Sequence, residues 1–583
     1  MYTIGINAVF HDSAACIIKD GILLAAAEEE RFTHIKHSKR PLPFSTWELP
    51  YHAIDYCLGI AGIHISDVDC FAYSFDPSII NKHEGTTIYG VWDSLFKNYI
   101  EQAPYMLADG YPHHLQKRFV GAKAEPNKWN FVNHHLAHAA SAYLCSPYTS
   151  AAVMTIDGRG EEESTSYYVG KNNELNKISE VKIPHSLGLL YEAVTTYLGF
   201  LHSSDEYKVM ALASYGKPVY LDQFRAMITV KDDGTYTIDE YRLEEHFGPK
   251  RLRNEEFREK HFDIAHSLQK VLEETVLKLA DWLYQKTGEE SLCLAGGVAL
   301  NCVANAVIRD QSSFKNIWVQ PASGDDGTAL GAALWVDSQQ RKSDEKVFIM
   351  NHCYWGPEYR DDEIEKFLKW TKVPYRKLNS IAKETAEILA ADKIIGWYQG
   401  RMEFGPRALG SRSILASPIN ANMQAKLNEI KDREDFRPVA PVVLEEDAPR
   451  WFQNAYYSPF MLFVYNVLPQ KADAIPAVRH VDGTARIQTI NEKQHPLYHE
   501  LLTEFKKLTG VPVLVNTSFN TRSEPIVCTP RDAIECFWTS PFDALVIGSF
   551  LLEKKSSNHD FDLENMSNEL APDEIVSGAS ALV

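Results

Sequence analysis

Apolar positions along this chain fall into strand and helix rhythms that alternate. Tyr2 to Val9 alternates as a strand and Ala14 to Ile18 is a second apolar run. The turn Lys19-Asp20-Gly21 then returns the chain into Ile22 to Ala27, which predicts a hairpin. The charged stretch from Glu28 to Arg40 leaves this sheet, and a helical, aromatic-rich region follows to about Asn127. Trp129 to Val132 reads as a strand, and the alanine-rich run from His134 to Tyr143 as a helix. Ala151 to Ile156 is a buried-strand candidate ending at Asp157-Gly158-Arg159-Gly160, with Ser164 to Gly170 and Lys177 to Ile183 continuing as a meander. Helical periodicity returns from His261 to Lys286. Ser291 to Ala295 and Ile317 to Val319 are short apolar strands that run into Gly296-Gly297 and Ser323-Gly324-Asp325-Asp326-Gly327. Strands alternating with helices, with polar turns at strand ends, predict an α/β domain.

Around Asn351 to Asp362 the pattern breaks into proline, glycine and charge, and a second α/β pattern begins. It comprises a helix near Ile381 to Ala391 and strands at Ile394 to Tyr398, Met461 to Val467 and Val511 to Val515. A chain of 583 residues exceeds what one core supports. The expected division is therefore 1–350 and 351–583, with a polar, acidic tail from about 556 that has little to bury and is expected to be mobile.

Composition narrows the classes. A chain with 45% hydrophobic and 23% charged residues is an ordinary globular protein. Its formal net charge of -19 argues against a nucleic-acid partner, because phosphate binding needs a basic surface. Nine scattered cysteines without a CxxC pair fit reduced thiols better than a disulfide scaffold. The first residues lack a basic segment followed by an apolar one, and no apolar run is long enough to span a bilayer. The expectation is a cytoplasmic protein with neither nucleic-acid nor membrane partner; a homodimer is compatible with all of this.

The sharpest chemical feature is Asn133-His134-His135-Leu136-Ala137-His138. Residues four apart share a helix face, so His134 and His138 can reach one metal ion. An isolated pair of this kind is more often a surface feature. Here two carboxylate-bearing strand-end turns follow, at Asp157 and Asp325, and a mixed imidazole–carboxylate set suits iron, manganese or zinc. Three strand-end turns recur as well: His11-Asp12-Ser13, Asp157 to Glu161, and Gly296 to Asn301. Glycine lets backbone approach a phosphate and clustered N–H groups bind anions, so the three together point to a nucleotide clamped between two subdomains.

In order, FHDSAA, AAAEEERFTHIKH, NHHLAHAASAY, IDGRGEEE, LAGGVALN and SGDDGTALGAA resemble the carbamoyltransferase family of nodulation and antibiotic-tailoring enzymes. GRMEFGPRALGSRS, KDREDFRPVAP, HVDGTARIQT and VLVNTSFNTRSEPIV complete the resemblance, which runs from about residue 4 to 550. It implies an N-terminal actin/sugar-kinase/Hsp70-like (Kae1-like) domain followed by a YrdC-like α/β domain. The implied activity is ATP-dependent O-carbamoyl transfer: carbamoyl adenylate is made from carbamoyl phosphate and ATP, and its carbamoyl group passes to a hydroxyl of a small molecule, with specialised metabolites the expected class. ATP is a co-substrate, with Mg2+ accompanying it, and one transition metal is implied, iron being expected.

The resemblance also assigns residues. His134, His138, Asp157 and Asp325 fall at the metal positions, and His11, with Asp12 to orient it, at the general base. Gly158, Gly160, Glu161, Lys208, Gly296, Gly297 and Asn301 fall among the nucleotide-binding positions. Arg407, Lys431, Arg437, Arg486, Asn516 and Ser518 fall at those for carbamoyl phosphate and the adenylate, whereas Arg412, Arg433 and Arg522 are read as ordinary surface charges. The stretch Leu201 to Tyr207 departs from the family's glycine-rich pattern and leaves the acceptor open. A sugar-kinase-like phosphotransferase, a tRNA threonylcarbamoyladenosine-type enzyme and a nucleotide-switched binding protein are the rival readings.

Overall fold

The protein is described here from a computed structural model. It describes residues 1–38, 49–79, 93–109, 118–341, 345–521 and 524–554, so the acidic tail expected from about 556 lies outside the described residues.

The chain opens as an antiparallel meander of β1 (Tyr2–Asn7), β2 (Ala14–Lys19) and β3 (Ile22–Glu28). Then β4 (Cys70–Tyr73) and β5 (Trp129–Phe131) add in parallel on the other side of β1. The resulting order is β3-β2-β1-β4-β5. After helix α1 (His134–Tyr143) the chain repeats the same path. A meander of β6 (Ser150–Ile156), β7 (Glu163–Lys171) and β8 (Glu174–Lys182) is followed, beyond the long helix α2 (Glu259–Thr287), by β9 (Ser291–Ala295) and β10 (Asn316–Val319) in parallel beside β6. Two five-stranded sheets share one connectivity, a repeat that the sequence does not announce, and they make the sugar-kinase-like architecture expected for this half.

Helix α3 (Asp325–Arg341) packs on β1, β2 and β4, while α1 packs on β6, β7 and β9, and the two helices pack on each other. The ends of α1 and α3 therefore meet where the strand ends of the second sheet arrive. α1 is almost entirely buried, so its alanines are what allow this close layering.

The C-terminal half is a further α/β domain on one eight-stranded mixed sheet. In spatial order its strands are Arg376–Lys377, Phe550–Glu553, Ala544–Ile547, Ile395–Tyr398, Arg412–Ala416, Val513–Ser518, Ala440–Leu444 and Gln488–Ile490. Two sequence expectations are corrected here. Only Val464–Asn466 of the apolar run Met461 to Val467 is a strand, because Met461 turns through φ 56°. The strand expected at Val511 to Val515 runs instead as Val513–Ser518, so Asn516 and Ser518 sit on the strand itself.

The two halves are sewn together by buried polar contacts. Glu28, at the end of β3, accepts a hydrogen bond from the Gly405 amide (2.7 Å), and Arg31 donates to the Gly405 carbonyl (3.0 Å). The side chains of Arg31 and Glu28 form an ion pair at 3.1 Å and are only 3% and 4% exposed. Arg401 donates to the carbonyl of Leu24 at 3.1 Å and of Trp355 at 2.7 Å. All nine cysteines are unpaired. Among the described residues, no helix is long and apolar enough to cross a membrane.

Candidate active sites

The first site forms at the N-terminus of α1. Asn133 caps the helix by accepting from the Leu136 amide at 2.9 Å. Glu161, buried on the neighbouring turn, accepts from the His134 amide (2.9 Å), the Asn133 side chain (3.0 Å) and the Asp76 amide (2.7 Å). With the first turn held this way, His134 and His138 point together. Their Nε2 atoms are 3.2 Å apart; Asp157 lies 3.6 and 3.9 Å from them, and Asp325 3.5 and 3.7 Å. One ligand atom from each residue lies within 4.8 Å of the others, and all four residues are buried.

This set fits a transition-metal ion. Two imidazole nitrogens facing each other in a dry interior repel unless a cation or a shared proton lies between them, and two carboxylates complete the donor set. The supporting contacts fit as well. His134 Nδ1 lies 3.2 Å from the Ser74 carbonyl, which turns Nε2 towards the site. The second oxygen of Asp157 accepts from the Gly297 amide at 2.7 Å. Gly296 before it adopts φ 92°, and a Cβ there would stand 2.3 Å from the Ile156 carbonyl, so only glycine brings that amide in. Burial disfavours charge on all three groups, but mutual attraction wins: the pKa of His134 is raised by Asp157 and Asp325, while Asp157 is depressed by His134 and Asp325 by His11 and His134.

Beside the metal-type cluster lies a second group that the sequence indicates only in part. The Asp12 carboxylate receives His11 Nδ1 on one oxygen and His37 Nδ1 on the other, each at 2.7 Å. Burial opposes ionisation of Asp12, yet His37 and His11 hold its pKa well below the usual carboxylate range. Of the residues expected to bind nucleotide, Glu161 and Gly297 touch members of the metal-type cluster through the His134 amide and the Asp157 carboxylate. Gly160 packs on His135, and the Gly158 carbonyl accepts from Ser186 at 2.8 Å. Asn301 caps the helix Cys302–Gln311 through the Ala304 amide at 3.0 Å. Lys208 stands apart, its ammonium 3.2 Å from Asp205 and 3.0 Å from Glu434 of the other half.

The third group sits in the C-terminal half, facing the seam. Arg407, Arg433, Arg437, Arg486 and Lys431 are mutual electrostatic neighbours. Among the described residues, Arg407, Arg433 and Arg486 form no ion pair, and Arg407 Nε, Arg433 Nη2 and Arg486 Nε are buried without a hydrogen-bond partner. Burial, and then Arg486, lowers the Arg407 pKa to about 9; burial, and then Arg437, lowers that of Arg433 to about 9. Lys431 donates to the Ser518 and Asn520 carbonyls at 2.6 and 2.8 Å and to the Asn520 side chain at 2.7 Å. Asn516 holds Gln488 at 2.8 Å and keeps a buried, unpartnered Oδ1. The N-terminal half joins in through Tyr207, whose ring lies 4.7 Å beneath the Arg437 guanidinium. Arg412 is not part of this group: fully buried, it donates to the carbonyls of Gln399, Gly400, Ser411 and Pro357.

Arg433, Asn520 and His37 therefore join these groups, although the sequence alone does not single them out. The one signal for Arg433 is its place two positions beyond Lys431 in the same turn.

A buried cation group at the seam and a buried metal-type cluster at the strand ends suit a group-transfer enzyme. Family descriptions agree: a carbamoyltransferase N-terminus matches residues 2–334 and a carbamoyltransferase C-terminus matches 386–554. The chain belongs to the nodulation-type carbamoyltransferase family, whose members transfer carbamoyl groups. It is 40% identical to an uncharacterized protein of Synechocystis sp. over 95% of this chain and 97% of that one. It is 38% identical to the nodulation protein NolNO of Sinorhizobium fredii, over 97% of this chain and 82% of that one. Among solved structures, component A of (R)-2-hydroxyglutaryl-CoA dehydratase from Acidaminococcus fermentans shares 14% identity at a TM-score of 0.33, over 58% of this chain and 99% of that one.

Proposed function

We propose that the enzyme is an ATP-dependent O-carbamoyltransferase with two working sites. In the C-terminal half water cleaves carbamoyl phosphate to carbamate and phosphate, and the carbamate oxygen then attacks the α-phosphorus of ATP, forming carbamoyl adenylate as the bond to pyrophosphate breaks. The N-terminal half then passes the carbamoyl group to a hydroxyl of a small molecule. The observation that carries this reading is the uncompensated cation group of Arg407, Arg433 and Arg486, each with a buried, unpartnered N–H. Such a group is costly to bury unless an anion is its partner. Joining two polyanions needs that arrangement, because cations offset their repulsion and hold the reacting atoms in line. Planar guanidinium forks suit phosphoryl oxygens, and the amides of Asn516 and Asn520 suit a carbamoyl group.

In the N-terminal half, Asp12 orients the ring of His11, which serves as the general base for the acceptor hydroxyl. His134, His138, Asp157 and Asp325 would hold a transition metal, iron being the expectation, which when bound supplies Lewis acidity towards a carbonyl oxygen. The contacts Tyr207–Arg437 and Lys208–Glu434 tie the N-terminal half to the cation group, which supports internal transfer of an adenylate that water would destroy.

The deciding measurement is pyrophosphate release from ATP, with and without carbamoyl phosphate and with no acceptor present. Release that requires carbamoyl phosphate is expected. ADP formation indifferent to it would replace this reading with the phosphotransferase one.

A further inference from the structure

We propose that a cavity at the back of the seam is a second nucleotide site, which takes AMP and restrains adenylate formation when filled. The inference rests on the carbamoyl-transfer reading above, in which AMP is a product, and adds a regulatory ligand to it.

The cavity, of about 440 Å³, opens where the two halves meet, and sites for small molecules usually measure about 300–1,000 Å³. It is separate from the metal-type cluster. Tyr148 in its wall precedes β6, and Asp157 follows that strand, so seven residues at about 3.3 Å each hold the two places roughly 20 Å apart. β10 repeats the relation, with Ile317 in the cavity wall near its start and Asp325 beyond its end.

The walls suit a flat ring. Tyr148 and Trp318 come from the N-terminal half, and Tyr456 and Tyr457 from the C-terminal half. Tyr456 and Tyr457 keep 51% and 41% of their surface exposed, so their faces are open to a ligand, and every nucleobase has a face that stacks on such rings. Asn351 and Asn454 line the same cavity. An asparagine amide can meet both the amino group and the ring nitrogen on the outer edge of adenine.

The charges set the number of phosphates. Arg309 and Lys315 lie in the wall, paired with Asp310 and Glu290. Nη1 of Arg309 and Nε1 of Trp318 are buried donors without an acceptor, so this wall has donors to spare for a group rich in oxygens. Asp310 also lines the cavity, and its carboxylate repels a longer polyphosphate more than a single phosphate, which favours AMP over ATP.

Two elements join this cavity to the cation group. Arg309 donates to the Val464 carbonyl at 3.1 Å, and Val464 is the cross-strand partner of Arg486. Arg309 also lies near the end of the helix Cys302–Gln311, about 10 Å along the axis from Cys302, an electrostatic neighbour of Arg407. A phosphate beside Arg309 competes with the Val464 carbonyl for the guanidinium. Filling the cavity therefore loosens the strand against which Arg486 is set, and pyrophosphate release slows.

The test uses the full-length protein and an azido-substituted AMP, photolysed with and without excess ATP, with labelled peptides mapped by mass spectrometry. Label is expected on the peptides that carry Tyr148 or Tyr456 and Tyr457. It should survive excess ATP and fall about tenfold in Y456A and about threefold in K315A, a change at an exposed side chain. In pyrophosphate release from ATP and carbamoyl phosphate, AMP should lower the maximal rate of wild type. In Y456A it should act only as a competitor of ATP. Label confined to other peptides would overturn the proposal, as would pocket label that excess ATP removes. So would inhibition of wild type that saturating ATP abolishes. Absence of carbamoyl-phosphate-dependent pyrophosphate in wild type without AMP would instead reject the reading beneath it, while the label map would still decide the site.

Discussion

Gly331 of α3 lies against the backbone of Ala137 in α1 so closely that a Cβ added to it would stand 1.8 Å from the Ala137 carbonyl oxygen. α3 carries Asp325 at its start and α1 carries His134 and His138, so this crossing sets the spacing of three of the four ligand-type residues. Gly331→Ala must therefore push the helices apart. Overpacking of this kind costs about 1–3 kcal/mol in general, and a clash with backbone belongs at the upper end. Metal content measured by mass spectrometry should fall together with the melting temperature. A variant that melts earlier but keeps full metal would break the link between this crossing and the site.

The two sites should fail separately. Arg486→Ala removes one of the uncompensated guanidinium groups and should abolish pyrophosphate release, because the polyanions lose a partner in the reaction itself. His11→Ala should release pyrophosphate but lose transfer by about 10²–10⁴-fold, the usual contribution of a positioned general base. Loss of pyrophosphate in both variants would contradict this division of labour.

The seam makes its own prediction. Arg31→Ala leaves Glu28 buried with its ion-pair partner gone, and removing one member of a buried pair costs about 3–5 kcal/mol. Arg31→Lys should recover only part of this, since a lysine cannot serve Glu28 and the Gly405 carbonyl with the same fork. Chemical denaturation of the three proteins provides the comparison.

A pH effect is expected at His495. Its Nδ1 caps the helix Pro496–Thr509 through the Tyr498 amide at 3.2 Å, and burial lowers its pKa to about 4. Between pH 4 and the ordinary histidine value of 6.5, the unfolded chain binds the proton that the folded one refuses. The stability this group contributes is therefore complete above 6.5 and is lost as pH falls towards 4. His495→Asn keeps a good cap without a titrating ring, so its melting temperature should fall less than that of wild type between pH 7 and pH 5. Parallel curves would show that His495 does not titrate in this window.

Much of the first site is legible in the chain. The four-residue spacing of His134 and His138 places them on one face, and Asp157 and Asp325 follow apolar strands. Apolar runs also mark both meanders, because most of their strands are buried almost throughout. What periodicity does not contain is the order β3-β2-β1-β4-β5, since β1 pairs with β4 across more than sixty intervening residues. His37 is hidden for a different reason. It reaches Asp12 through a left-handed backbone that no residue preference announces. Arg433 is hidden because a buried guanidinium and a solvated one are spelled alike.

The guanidinium group at the seam has a kinetic consequence. Cells contain dissolved phosphate, and a concave set of positive charges attracts it whether or not substrate is present. On the proposed function, carbamoyl phosphate and dissolved phosphate compete for this group. Turnover should slow as ambient phosphate rises and recover as carbamoyl phosphate rises. Added phosphate should then also raise the melting temperature, so that the solvent's composition becomes part of what keeps this protein folded.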